Sequence, residues 1–179
     1  MPSTSARAQS KIVRDKRFFY IFSLISLNIG QTEMKALDLA AYIVNLCIEE
    51  GNPVSNLQLQ KIMYITHLYY FRNHKAKLIT DLPFEAWRLG AIIERVYYKY
   101  FYIYAANPII NKEELDPNVE QKIKNLNLDQ VIINLSNYNF YELVKYVCEK
   151  EGAWDKTYQN GLGNREIISD KLIEETALS

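Results

Sequence analysis

The side chains able to do chemistry in this 179-residue chain are few and scattered. The two histidines, His67 and His74, are seven positions apart, which on a continuous helix sets them two turns apart along one side. Zinc pairs on a helix use the tighter i, i+4 spacing, and no Cys or carboxylate cluster accompanies these two. Cys47 and Cys148 form neither a C-x-x-C pair nor a nucleophile signature. Cys47 falls in an apolar stripe, where a thiol belongs to the core rather than to catalysis. Gly161-Leu162-Gly163 lacks the third glycine and the lysine of a phosphate loop. Glu85 and Glu94 flank Trp87 and Arg88, but acid–base work requires a cleft and shifted pKa values that closeness in sequence does not supply. The plainer reading is that Glu85 and Arg88 fasten a loop to helices. The sequence therefore points to no catalytic, cofactor-binding or metal site.

Aromatic content is the unusual feature: 14 Tyr beside 7 Phe and 2 Trp. Five of the tyrosines lie between Tyr97 and Tyr104. Tyrosine buries a large apolar body while keeping a hydroxyl for hydrogen bonds, which suits protein interfaces. Aromatics interleaved with Arg and Lys also stack nucleic-acid bases, so charge has to decide. The whole chain balances 21 Lys+Arg against 21 Asp+Glu. Residues 1–33 hold five basic and two acidic side chains, leaving 16 basic and 19 acidic in residues 34–179. A domain of net −3 favours an interface or a core over nucleic-acid binding.

The elements that must position these residues are mainly helical. ALDLAAYIVNLCIEE carries apolar residues at helical spacing and stops at Gly51-Asn52-Pro53. Ser55-Asn56-Leu57-Gln58 has capping-box spacing and opens LQLQKIMYITHLYYFRN, apolar on both sides and so a central helix with several neighbours. An irregular or β excursion around residues 76–90 follows, with short strands expected near Lys77–Ile79 and Phe84–Trp87. Gly90 breaks it before AIIERVYYKYFYIYA, read as a helix. Shorter helices are expected over 117–125, opened by Asp116-Pro117, over 128–135, and from a second capping-box-like start at Asn139-Phe140-Tyr141-Glu142 to a stop at Gly152; then come a loop holding Trp154, Gly161 and Gly163 and a last helix opened by Ser169-Asp170. The fold class is a mainly α, single compact helical domain.

Residues 1–33 differ in composition: a polar, basic front precedes RFFYIFSLISLNIG. A secretory signal begins in this way, but Ser23, Ser26 and Asn28 interrupt the run and no small-x-small cleavage pattern follows. The run from Phe18 to Ile29 gives about 18 Å of helix against a bilayer core of about 30 Å. It is read as a terminal extension outside a domain of residues 34–179, with Met34 as the domain's natural start.

Three blocks, MKALDLAAYIVNLCIEEGNPVSNLQLQKIMYITHLYY, FEAWRLGAIIERVY and KYVCEKEGAWDKTY, resemble in order and spacing the Panacea (SocA-like or GepA-like) antitoxin domain. LQLQK, and EAW followed by Gly90, carry most of the likeness. The chain departs from the family pattern at Ala91, at Thr66-His67-Leu68, at Cys148 and at Ala153. The resemblance implies a helical, non-catalytic antitoxin of a bacterial or phage toxin–antitoxin pair, cytoplasmic and without a cofactor. Its partner is a cognate toxin protein bound directly, and one branch of the family delivers its toxin to an ATP-dependent protease. Neither nucleic acid nor membrane is expected as a partner. Trp87, Arg88, Tyr97, Tyr98, Trp154 and Tyr158 are the expected toxin contacts, with core packing the alternative for the two tryptophans. Two rival readings remain open: an enzyme gathering His67, His74, Glu85 and Cys148, and a regulator or membrane-associated protein using the basic leader.

Overall fold

The structure is a computed structural model that describes residues 34–104 and 107–179; the leader, and with it every reading of residues 1–33, lies outside the described residues. Eight α-helices and one short hairpin are described: α1 (Ala36–Glu49), α2 (Asn56–His74), β1 (Glu85–Trp87), β2 (Gly90–Ile92), α3 (Glu94–Tyr104), α4 (Pro117–Lys124), α5 (Asp129–Ser136), α6 (Phe140–Val147), α7 (Ala153–Tyr158) and α8 (Asp170–Leu178). The fold is mainly α, as the periodicity implies.

Helix boundaries follow the local chemistry. At the end of α1, Gly51 takes φ +70°. Its N–H donates to the Ile48 carbonyl at 3.0 Å, and the Asn52 N–H donates to that of Cys47 at 2.9 Å, the double closure of a Schellman cap. Ser55 and Gln58 form the reciprocal capping box of α2, and Asn139 and Glu142 that of α6. Asp116 accepts from the Asn118 and Val119 amides ahead of Pro117, and Ser169 caps α8.

Two expectations shift. The excursion does not end at Gly90: Gly90-Ala91-Ile92 pairs antiparallel with Glu85-Ala86-Trp87, and the helix begins only at Glu94. Ala91 to Ile93 is apolar enough to be read as helix, but all three are buried against α2 and their backbone is held from the side (below). Around Ile79 there is one bridge, to Met34, rather than a strand.

Helix α2 runs through the middle. Leu59 to Leu68 is buried without a break, Lys61 and His67 included, and α1, α3, α5, α6, α8 and β2 all pack on it. A helix covered on every side must bury the polar groups it carries at a cost unless they are paired. Among the described residues the Tyr64 hydroxyl and Thr66 Oγ1 have no hydrogen-bond partner, whereas Asn56, Gln60, Lys61 and His67 do. Asn56 Nδ2 donates to the Tyr97 carbonyl at 2.8 Å. Gln60 Nε2 donates to Asn56 Oδ1 at 3.3 Å, while Gln60 Oε1 accepts from the Ile93 N–H at 2.9 Å. Lys61 Nζ donates to the Ala91 carbonyl at 3.0 Å. These three side chains hold the junction between β2 and α3 at three backbone groups, the Ala91 and Tyr97 carbonyls and the Ile93 N–H. One turn and a half further on, His67 Nδ1 accepts from the Ile79 N–H at 3.2 Å with its ring edge-on to Phe84. Burial lowers its pKa to about 4, so the neutral ring serves as this acceptor.

Lys61 is fully buried and has no carboxylate partner among the described residues. Burial brings its pKa down to about 7, with nearby Cys148 acting the other way. In the unfolded chain a lysine stays protonated to about pH 10.4. Between these two values the unfolded chain holds more protons than the folded one, so this residue makes stability rise with pH. From pH 6.5 to pH 8 the gain is about 1 kcal/mol. Urea denaturation of the native chain and of Lys61→Met at the two pH values measures it: the native chain should gain this increment relative to the variant. Parallel behaviour would show that Lys61 does not titrate in this range.

Gly90 passes over the same amine. It takes φ +107°, and a Cβ there would lie 2.9 Å from Lys61 Nζ and 3.2 Å from a Val147 methyl carbon. Strain and contact act together, so Gly90→Ala should cost about 2–3 kcal/mol. An unchanged urea midpoint would contradict this.

Candidate functional site

The turn of the hairpin consists of Arg88 and Leu89, both exposed. Neither takes a positive φ, and the left-handed conformation falls on Gly90 instead. The outer edge of β1 is covered by residues 165–168: the Ala86 N–H donates to the Glu166 carbonyl, the Arg165 N–H to that of Ala86, and the Ile168 N–H to that of Phe84, each at 2.8 Å. From beneath, Trp154 Nε1 donates to the Trp87 carbonyl at 2.8 Å, and its ring stacks on Tyr158 at 4.6 Å. Trp154 is buried, on α7 rather than in a loop.

Held this way, Trp87 starts a run of aromatic rings that continues along α3. Its centroid lies 5.1 Å from Tyr97 and 6.3 Å from Tyr98; Tyr97 stacks on Phe101 at 5.3 Å and Tyr98 on Tyr102 at 6.1 Å. Val96 and Tyr100 turn inward, so the helix anchors on one side while these rings face out. Trp87, Tyr97 and Tyr98 are half-buried, Phe101 is exposed, and Tyr102 is 80% exposed. Burial raises the pKa of the Tyr97 phenol, which therefore stays protonated. The Trp87 indole N–H donates to Glu85 Oε2 at 2.8 Å. Over its face lies the Arg165 guanidinium, 4.3 Å from the centroid, a cation–π contact. Arg165 has φ +69°, uncommon for a side chain other than glycine, and also reaches Glu94 at 3.7 Å.

Of the expected contacts, Trp87, Tyr97 and Tyr98 therefore come together, with Arg88 at the adjoining turn. Tyr158 and Trp154 support them from below. Phe101 and Tyr102 were legible as the i+4 partners of Tyr97 and Tyr98; Arg165, far along the chain, gives no local signal. The groups of the enzymatic rival have separate surroundings. His67 receives the Ile79 amide, Glu85 binds the Trp87 indole, and Cys148 sits by Lys61 with its thiol pushed up to about 11 by burial. His74 stacks on Tyr70 at 4.4 Å. No hydrogen bond or ion pair among the described residues joins His67, His74, Glu85 and Cys148. Among these residues, no helix is long and apolar enough to cross a membrane.

Rings stacked in the open, backed by a buried tryptophan, suit recognition of another macromolecule better than chemistry on a small one. The family description "Antitoxin SocA-like, Panacea domain" matches residues 59–155. Antitoxin SocA of Caulobacter vibrioides (strain NA1000 / CB15N) is 28% identical over 156 residues, covering 76% of this chain and 80% of that protein. No solved structure matches. The matched segment opens at Leu59, one residue before the buried Gln60–Lys61 pair, and closes at Asp155, just past Trp154, so it spans that pair, the hairpin and the tryptophan beneath it. The chain belongs to the SocA-like Panacea antitoxin domain family.

Proposed function

We propose that this chain is an antitoxin that neutralises a toxin encoded beside it by binding it directly, in the cytoplasm and without catalysis. The observation that carries the reading is the outward-facing aromatic run on β1 and α3 in a chain of this family. Large, stiff aromatic side chains with a guanidinium beside them make most of the binding energy in protein interfaces. Trp87, Arg88, Tyr97 and Tyr98 form the contact surface, and Tyr158 and Trp154 support it. The binding unit is the domain of residues 34–179, with residues 1–33 an extension outside it.

Masking of the toxin and its delivery to an ATP-dependent protease leave different traces. Under masking, the toxin persists in a stable complex; under delivery, its lifetime shortens and recovers when the protease is deleted. The test is co-expression with the product of the adjacent reading frame. Growth should be rescued, the two proteins should co-purify, and a chain begun at Met34 should rescue as well as the full chain. A harmless neighbour, or rescue with no complex in a protease-deficient strain, would overturn the reading.

A further inference from the structure

The aromatic face carries a charge pattern opposite to that of its domain. Residues 34–179 sum to −3, yet two arginines stand exposed beside the rings, Arg88 at the hairpin turn and Arg95 in the first turn of α3. Arg95, Tyr98 and Tyr102 follow at i, i+3 and i+7, one stripe of a helix. The neighbouring carboxylates are already engaged, Glu85 by the Trp87 indole and Glu94 by Arg165. Among the described residues, Arg88 and Arg95 have no ion pair or hydrogen bond. Two unpaired cations at the margin of an exposed aromatic stripe complement a partner that is apolar at its centre and acidic at its edge.

We infer that this face receives an acidic segment of the toxin whose apolar side lies across Trp87, Tyr98 and Tyr102 and whose carboxylates meet Arg88 and Arg95. The inference rests on the antitoxin reading and names the surface and the partner's chemistry. Rings supply the buried contact and slow dissociation, while the arginines steer approach and set which segments are admitted. The two contributions are therefore separable by salt.

The test is surface plasmon resonance of the full chain over the immobilised product of the adjacent reading frame, from low salt to about 0.3 M. For the native chain, the association rate should fall about tenfold or more across that range. Arg88→Glu with Arg95→Glu should remove most of this salt dependence and slow association about tenfold or more at low salt. Tyr98→Ser with Tyr102→Ser should instead raise the dissociation rate about tenfold or more and leave the salt slope in place. Tyr141→Ser alters an aromatic that is also 80% exposed but lies on α6, and should change nothing. Thermal melting confirms that the variants are folded. If the native chain binds and rescues growth but neither pair alters the kinetics, the inference is overturned and the antitoxin reading stands. If the native chain neither binds nor rescues, both fall. Binding of a mixed-sequence single-stranded oligonucleotide by the native chain, lost in both pairs, would make the face a base-stacking platform and also overturn the inference.

Discussion

The arrangement depends on a helix that has no solvent side. Because α2 is covered through its middle, Asn56, Gln60 and Lys61 pair away from water, and the backbone they meet is that of the β2–α3 junction. Leaving any one of these groups unpaired would cost about 1–3 kcal/mol, so the junction is held in place by penalty as much as by attraction. Lys61 is the extreme member: an amine with no counter-ion among the described residues, resting on the Ala91 carbonyl under a glycine that has no room for a side chain. With Asn56 and Gln60, that contact sets where the hairpin passes into the aromatic helix.

The surface proposed to bind another protein gains from being ordered beforehand, since side chains immobilised on binding subtract from affinity. The described contacts supply that order. Trp154 fixes the β1 backbone from below, residues 165–168 close its edge, and Arg165 lies across the indole while engaging Glu94. The aromatic rings also order one another, each stacked on the ring a helical turn away. The interior is thus spent on positioning, and the proposed recognition chemistry lies outside.

Much of this was legible in the sequence where the cause is local. The capping boxes at Ser55 and Asn139, the glycine cap at Gly51 and the start at Asp116-Pro117 are short-range hydrogen-bond chemistry, and they stand where expected. The two-sided apolar pattern of LQLQKIMYITHLYY correctly marked a central helix. What periodicity missed has non-local causes. Ala91–Ile93 reads as helix because its apolar residues fit either state, and only Gln60 and Lys61, some thirty positions upstream, make it a strand and a junction. Trp154 reads as a loop residue because six residues make a weak helical signal. The cation on Trp87 comes from Arg165, which no spacing rule connects to it. The LQLQK motif was legible as a likeness before its physical role was: Gln58 caps, while Gln60 and Lys61 clamp.

The central claim, that β1 and α3 form the toxin-binding face, is tested most directly by hydrogen–deuterium exchange of the chain alone and in complex with the product of the adjacent reading frame. The account expects slowed exchange in peptides covering residues 85–104 and 165–168, with little change in α4 and α5. Slowing confined to α4 and α5, with residues 85–104 unaffected, would contradict it.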